Sequence, residues 1–181
     1  MSEAYSPVPE LNLLKEFEER LGRCCYSQAV ELREFGDLHG VETYSADPEF
    51  VGSFLGFACA TLSGSDYALW RIDDRADLSS LPVVVFGDEG GIFIVARNVR
   101  ELFQLLGCDR AIHVWDDCAE FDEDDQEHDR ETSPDHDEYV AWLESHFGLA
   151  PPSHPNELVH AADEELGAQL ASWVERFVQD A

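Results

Sequence analysis

From Leu81 to Phe86 the chain reads Leu-Pro-Val-Val-Val-Phe, turns through Gly87-Asp88-Glu89-Gly90-Gly91, and continues apolar from Ile92 to Ala96. A turn this rich in glycine provides the positive φ values that a tight hairpin connection demands. The flanking runs are β-branched and of strand length. The run Val83-Val84-Val85-Phe86 is apolar at every position, as a strand covered on both sides must be. Upstream, Asp66 to Ile72 alternates Tyr67, Leu69 and Arg71 with Ala68, Trp70 and Ile72, the period of two expected of a strand. Downstream, Asn98 is a good N-cap and Glu101 stands three residues on, as in a capping box. Val99, Leu102, Phe103 and Leu106 then fall on one helical stripe, which Gly107 ends. Gly64–Gly107 is therefore expected to fold as adjacent antiparallel strands closed by a helix.

The rest of the chain is read more coarsely. Glu10 to Leu21 predicts an amphipathic helix through Leu11, Leu14, Phe17 and Leu21, stopped by Gly22. Val30, Leu32 and Phe35 fit either a strand or a short helix. Val41 to Tyr44 reads as a short strand. Asp47-Pro48 predicts the start of a helix whose buried side would carry Phe50, Val51, Phe54, Leu55 and Ala58. Ala111 to Trp115 reads as a fourth strand. Asp137 to Phe147 and Asn156 to Val178 both show helical spacing around the stiff connector Ala150–Pro155, with Gly167 a potential break. Trp142 and Trp173 read as core anchors. The expected class is α+β: a small twisted antiparallel sheet with helices packed on one face and helical N- and C-terminal extensions. The expected organisation is one domain over 1–181, with a core at 41–115, an acidic loop at 116–136 and a C-terminal helical extension at 137–181.

Within this frame, Gly64–Trp70, Pro82–Gly90 and Val95–Phe103 resemble the core of the SUKH superfamily, the yeast cell-wall-synthesis regulators and bacterial toxin-immunity proteins. The resemblance implies an α+β fold that binds other proteins, in bacteria often neutralising a toxin. It carries over no catalytic residue.

Charge points the same way on independent grounds. Asp and Glu number 39 against 11 Lys and Arg, for a formal net charge of −28. Such a surface is repelled by nucleic acid and by anionic membranes and is drawn to basic proteins. The acids concentrate from Asp116 to Glu138, a stretch whose one base is Arg130. A block of this kind repels itself and is expected to form a mobile loop. The expected partner-binding residues are Asp88 and Glu89 at the turn, with Asp116, Asp117, Asp122, Asp124 and Asp125 in the acidic stretch. Trp115 reads either as an aromatic anchor for that partner or as a core residue. The alternative is a regulatory or structural protein whose acidity serves solubility or salt adaptation.

Catalytic and metal signatures are weak. No GxSxG, Walker, GxGxxG or HExxH motif occurs. No glycine lies between Gly107 and Gly148, so the acidic stretch lacks the sixth-position Gly of a calcium loop. His113, Cys118, His128 and His136 match no zinc spacing. Asp73-Asp74 and Asp116-Asp117 are adjacent pairs that would point apart on a strand. The five cysteines, which include the vicinal pair Cys24-Cys25, form an odd set without CxxC and read as free thiols. A non-enzymatic chain without metal or cofactor is expected. No apolar run reaches membrane-spanning length and the N-terminus is unlike a secretory signal, so a cytoplasmic location is the expectation.

Overall fold

The computed structural model describes residues 4–22, 25–61, 64–122 and 131–178. The helices are α1 (Pro9–Leu21), α2 (His39–Glu42), α3 (Pro48–Gly52), α4 (Val99–Leu106), α5 (His136–Phe147) and α6 (Pro155–Val174). The strands are β1 (Glu31–Leu32), β2 (Phe54–Cys59), β3 (Asp66–Trp70), β4 (Val83–Phe86), β5 (Ile92–Ala96), β6 (Ile112–Val114) and β7 (Ala119–Phe121). The first five form one sheet in the order β1-β2-β3-β4-β5, each antiparallel to its neighbour. β6 and β7 form a separate antiparallel hairpin. The α+β class and the antiparallel sheet are as the sequence predicts.

The helices do not share one face. Along β3, Tyr67 and Leu69 enter one core while Ala68 and Trp70 enter another, and β4 divides Val83 and Val85 from Val84 and Phe86 in the same way. On the first side α1, α4 and α5 supply Leu11, Phe17, Leu102, Phe103 and Leu143. On the second side Phe50 of α3 meets Ala162 and Leu170 of α6. Trp173 of α6 stacks on Phe50 with ring centroids 5.6 Å apart and planes at 17°. The sheet is thus a middle layer, which is why all five residues of β3 and all four of β4 are buried. The terminal helices are layers of the body, and the cores draw on the chain from Val8 to Leu170, well beyond 41–115. Trp142 and Trp173 are both anchors, but on opposite sides of the sheet.

Local signals explain most element boundaries. Asn98 accepts the Glu101 N–H at 2.9 Å, and the Glu101 carboxylate reaches back to the Arg97 N–H at 2.7 Å, one residue earlier than a standard capping box. α1 ends at Gly22 and α5 at Gly148, both left-handed, with φ of 71° and 65°. α6 runs through Gly167 without a break.

Three further expectations are corrected. Val41 belongs to the helical turn α2, not to a strand. The helix capped by Asp47 stops at Gly52, and Phe54–Cys59 is β2. The reason is tertiary: Gly56 sits at an irregularity of register against β3, and its carbonyl accepts the Gly36 N–H at 2.7 Å. The acidic stretch is not one continuous loop either, because it contains β7 and the first turn of α5. Among the described residues no helix is long and apolar enough to cross a membrane.

Candidate functional site

Two turns meet at one end of the main sheet. The β4–β5 turn closes with the Gly87 N–H donating to the Gly91 carbonyl at 3.0 Å, and Gly90 and Gly91 take φ of 125° and 87°. The Tyr44 hydroxyl lies 2.7 Å from the Gly87 carbonyl and 2.9 Å from that of Gly91, so one O–H clamps both ends of the turn. Burial, and then the nearby Asp88 carboxylate, push the Tyr44 pKa up to about 12, which keeps this donor protonated.

The second turn belongs to the β6–β7 hairpin. Trp115 N–H donates to the Cys118 carbonyl at 2.8 Å, leaving Asp116 and Asp117 as a two-residue loop. This loop packs against the first turn: a Cβ on Gly91 would lie 2.8 Å from the Trp115 carbonyl. A Cβ on Gly90 would be 3.8 Å from the Asp116 carboxylate. A depression of about 340 Å³ lies between the turns, lined by Glu89, Val114, Trp115, Asp116 and Asp117.

Trp115 dominates this surface. It is 56% exposed, the one exposed large hydrophobic side chain among the described residues, so the core reading of it does not hold. Its ring stacks on His113, two residues earlier on the same face of the hairpin, with centroids 5.8 Å apart and planes at 14°. An aromatic held flat, with carboxylates beside it, offers a cation both a π-face and counter-charge.

The expected site residues separate into groups. Glu89, Asp116 and Asp117 are brought together, and Asp88 precedes Glu89 in the same turn. Asp88 is partly committed inward, since its carboxylate accepts the Ser65 hydroxyl at 2.6 Å and ties the β4–β5 turn to the start of β3. Asp122 is not part of the group: it lies at the opposite end of the hairpin, where its N–H donates to the Ala111 carbonyl at 2.9 Å. Asp124, Asp125, Cys24 and His128 lie outside the described residues.

Nucleophilic chemistry finds no support at this end. Cys118 has its thiol pushed up by burial and then by Glu120 and Asp117, which disfavours the reactive thiolate. Among the described residues no group of three or more His, Cys, Asp or Glu is arranged to hold a metal ion.

One polar pair went unread in the sequence. Asp66 is buried at the start of β3, with Arg33 Nη1 2.9 Å from its Oδ1. Burial raises the Asp66 pKa against the opposing pull of Arg33. The pair spans from the segment after β1 to β3, a separation in sequence that no local pattern announces. Comparison of the chain with protein-family models, with curated proteins and with solved structures returned no match.

Proposed function

We propose that this chain is a non-catalytic, cytoplasmic protein-binding domain of the SUKH immunity kind, which masks a basic toxin or another basic protein through its acidic, aromatic end. The observation that carries the reading is Trp115, exposed and stacked on His113 beside Glu89, Asp116 and Asp117. An exposed tryptophan costs solubility and is common at interface hot spots, where a polar rim surrounds an aromatic centre. The net charge of −28 adds long-range attraction for a basic partner. Partner approach is then steered by the field of the whole chain, and residence is set by contacts at Trp115.

The test separates these two contributions. A partner recovered on the immobilised full chain is purified, and its association is followed by stopped flow from low to physiological salt. The triple variant Glu89→Gln, Asp116→Asn, Asp117→Asn should lower the association rate severalfold at low salt and flatten its salt dependence. Trp115→Ala should act mainly on dissociation, raising its rate about tenfold or more. A partner that is acidic, or rates unchanged in both variants, would refute the proposal. Binding that survives only as a weak, salt-labile association with any cation would favour acidity as a solubility device.

A further inference from the structure

The β6–β7 hairpin has one face in the core and one face in water. Its register sets Ile112 opposite Phe121, His113 opposite Glu120 and Val114 opposite Ala119. Residues directly opposite in an antiparallel pair share a face, and successive residues alternate between faces. Ile112, Ala119 and Phe121 make the inner face, each at most 4% exposed and part of the first core. The outer face carries His113, Trp115, Cys118 and Glu120. Its rings are the stacked pair His113 and Trp115, both exposed.

Carboxylates stand at both ends of this ring pair. Glu89, Asp116 and Asp117 line the depression at the loop end, beside Trp115. Glu120 stands at the other end, opposite His113. There it already holds a nitrogen donor: Nε2 of His160, from the second turn of α6, lies 3.2 Å from Glu120 Oε1. That contact is open to water, with 58% of the His160 side chain and 44% of the Glu120 side chain exposed. A pair this exposed holds weakly, so a stronger cation can replace the imidazole. His160 released from Glu120 keeps the attraction of Asp163, three residues on along α6.

We propose that the outer face of the hairpin reads two guanidinium groups of one basic partner segment, the first at Trp115 beside Asp116 and Asp117, the second at Glu120 in place of His160. Resting on the function proposed above, this names the chemistry by which the partner is recognised. His113 covers one face of the indole, so the first guanidinium takes the other face, towards the loop acids. The second forms a forked, charge-assisted pair with the Glu120 carboxylate. Arginine suits both places better than lysine, because its planar group stacks on rings and matches a carboxylate with two donors. Adjacent residues of an extended segment point apart, whereas residues i and i+2 point the same way, about 6.6 Å apart. The partner's pattern is thus Arg-X-Arg. A second copy of this chain does not supply it, since the sequence contains no Arg-X-Arg and two chains of net charge −28 repel. A metal does not account for the face either, because among the described residues His113, Cys118, Glu120 and His160 form no metal-holding group.

The probe is the peptide acetyl-Arg-Gly-Arg-amide, titrated at low salt into the full-length isotope-labelled chain, with acetyl-Arg-amide and acetyl-Lys-Gly-Lys-amide as comparisons. The Trp115 indole and the Glu120 amide should shift together on one dissociation constant, about fivefold or more below that of the single arginine. The lysine peptide should bind about threefold or more weakly than the arginine peptide. Glu120→Gln should reduce the two-arginine peptide to the affinity of the single arginine while keeping the Trp115 shifts. His160→Ala removes the group to be displaced and should leave the affinity at the parent value or tighter. Both side chains are exposed, so neither change threatens the fold. Shifts at Trp115 with Glu120 unmoved, and one affinity for one arginine or two, would overturn the two-point reading and leave the acidic, aromatic surface standing. Equal binding of the lysine peptide would overturn the guanidinium assignment. Weaker binding by His160→Ala would overturn displacement. No response at Trp115 would overturn both this inference and the function on which it rests.

Discussion

Asn156 bonds the backbone of Phe121 in both directions, at 2.8 Å and 2.9 Å, and so stands in for a strand beside β7. Phe121 is buried, so its N–H and C=O have no easy recourse to water. Asn156→Ala should cost about 1–3 kcal/mol, the penalty for leaving buried backbone groups unpaired. A urea titration gives the number. An unchanged midpoint would mean that water reaches this edge freely.

The interlock of the two turns rests on Gly91, whose φ is 87° and where a Cβ would collide with the Trp115 carbonyl and the Phe93 ring. Gly91→Ala combines a left-handed cost of about 1–2 kcal/mol with a steric conflict at the hairpin. We expect loss of stability together with a shifted Trp115 indole resonance. A stability loss with Trp115 unmoved would show that the turn and the hairpin are independent.

Alkaline pH should loosen the same corner. The Tyr44 pKa stands at about 12 in the folded chain against an ordinary value of 10.0. Its folded value is raised, so its contribution is fully present below pH 10 and is lost as pH rises from 10 towards 12. Tyr5, Tyr67 and Tyr139 are shifted in the same direction by burial, so the loss is shared. Urea midpoints should fall across that window, and Tyr44→Phe should fall less steeply than the parent while starting about 1 kcal/mol lower. Parallel curves for the two chains would rule out Tyr44 as a contributor.

Leu170 tests whether α6 is a layer or an appendage. It is 1% exposed and packs in the second core with Phe50, Phe54 and Trp70. Leu170→Ala should cost about 2–5 kcal/mol, as for other buried leucines. A helical extension lying outside the core would give less than 0.5 kcal/mol, the scale of ordinary surface changes.

Much of this molecule was written in local pattern. The Gly87–Gly91 turn, the strands on either side of it, the Asn98 cap and the Gly22 and Gly148 stops each depend on interactions within a few residues, so spacing alone reveals them. Asp88 and Glu89 were legible as turn acids because the glycine-rich turn was, whereas Asp116 and Asp117 were legible only as part of a long acidic loop, and the hairpin turn that separates them from Asp122 was not. The run Val83–Phe86 even signalled two covered faces, at odds with helices on one side only, but it does not say which helix supplies the second cover. That was decided when α6 returned from the far end of the chain to Phe50 and Trp70. The same holds for β2, whose apolar residues suit a helix as well as a strand until β3 takes up their backbone groups. Trp115 shows the limit most clearly. An apolar run of three to five residues looks the same whether it joins the central sheet or stands apart from it. Alternation along β6 puts Ile112 and Trp115 on opposite faces, and packing of the hairpin on the first core decides that Ile112 is buried and Trp115 faces water. Local chemistry sets which segments can be strands and turns; which of their faces are covered is a property of long-range packing, because it depends on what the rest of the chain leaves exposed.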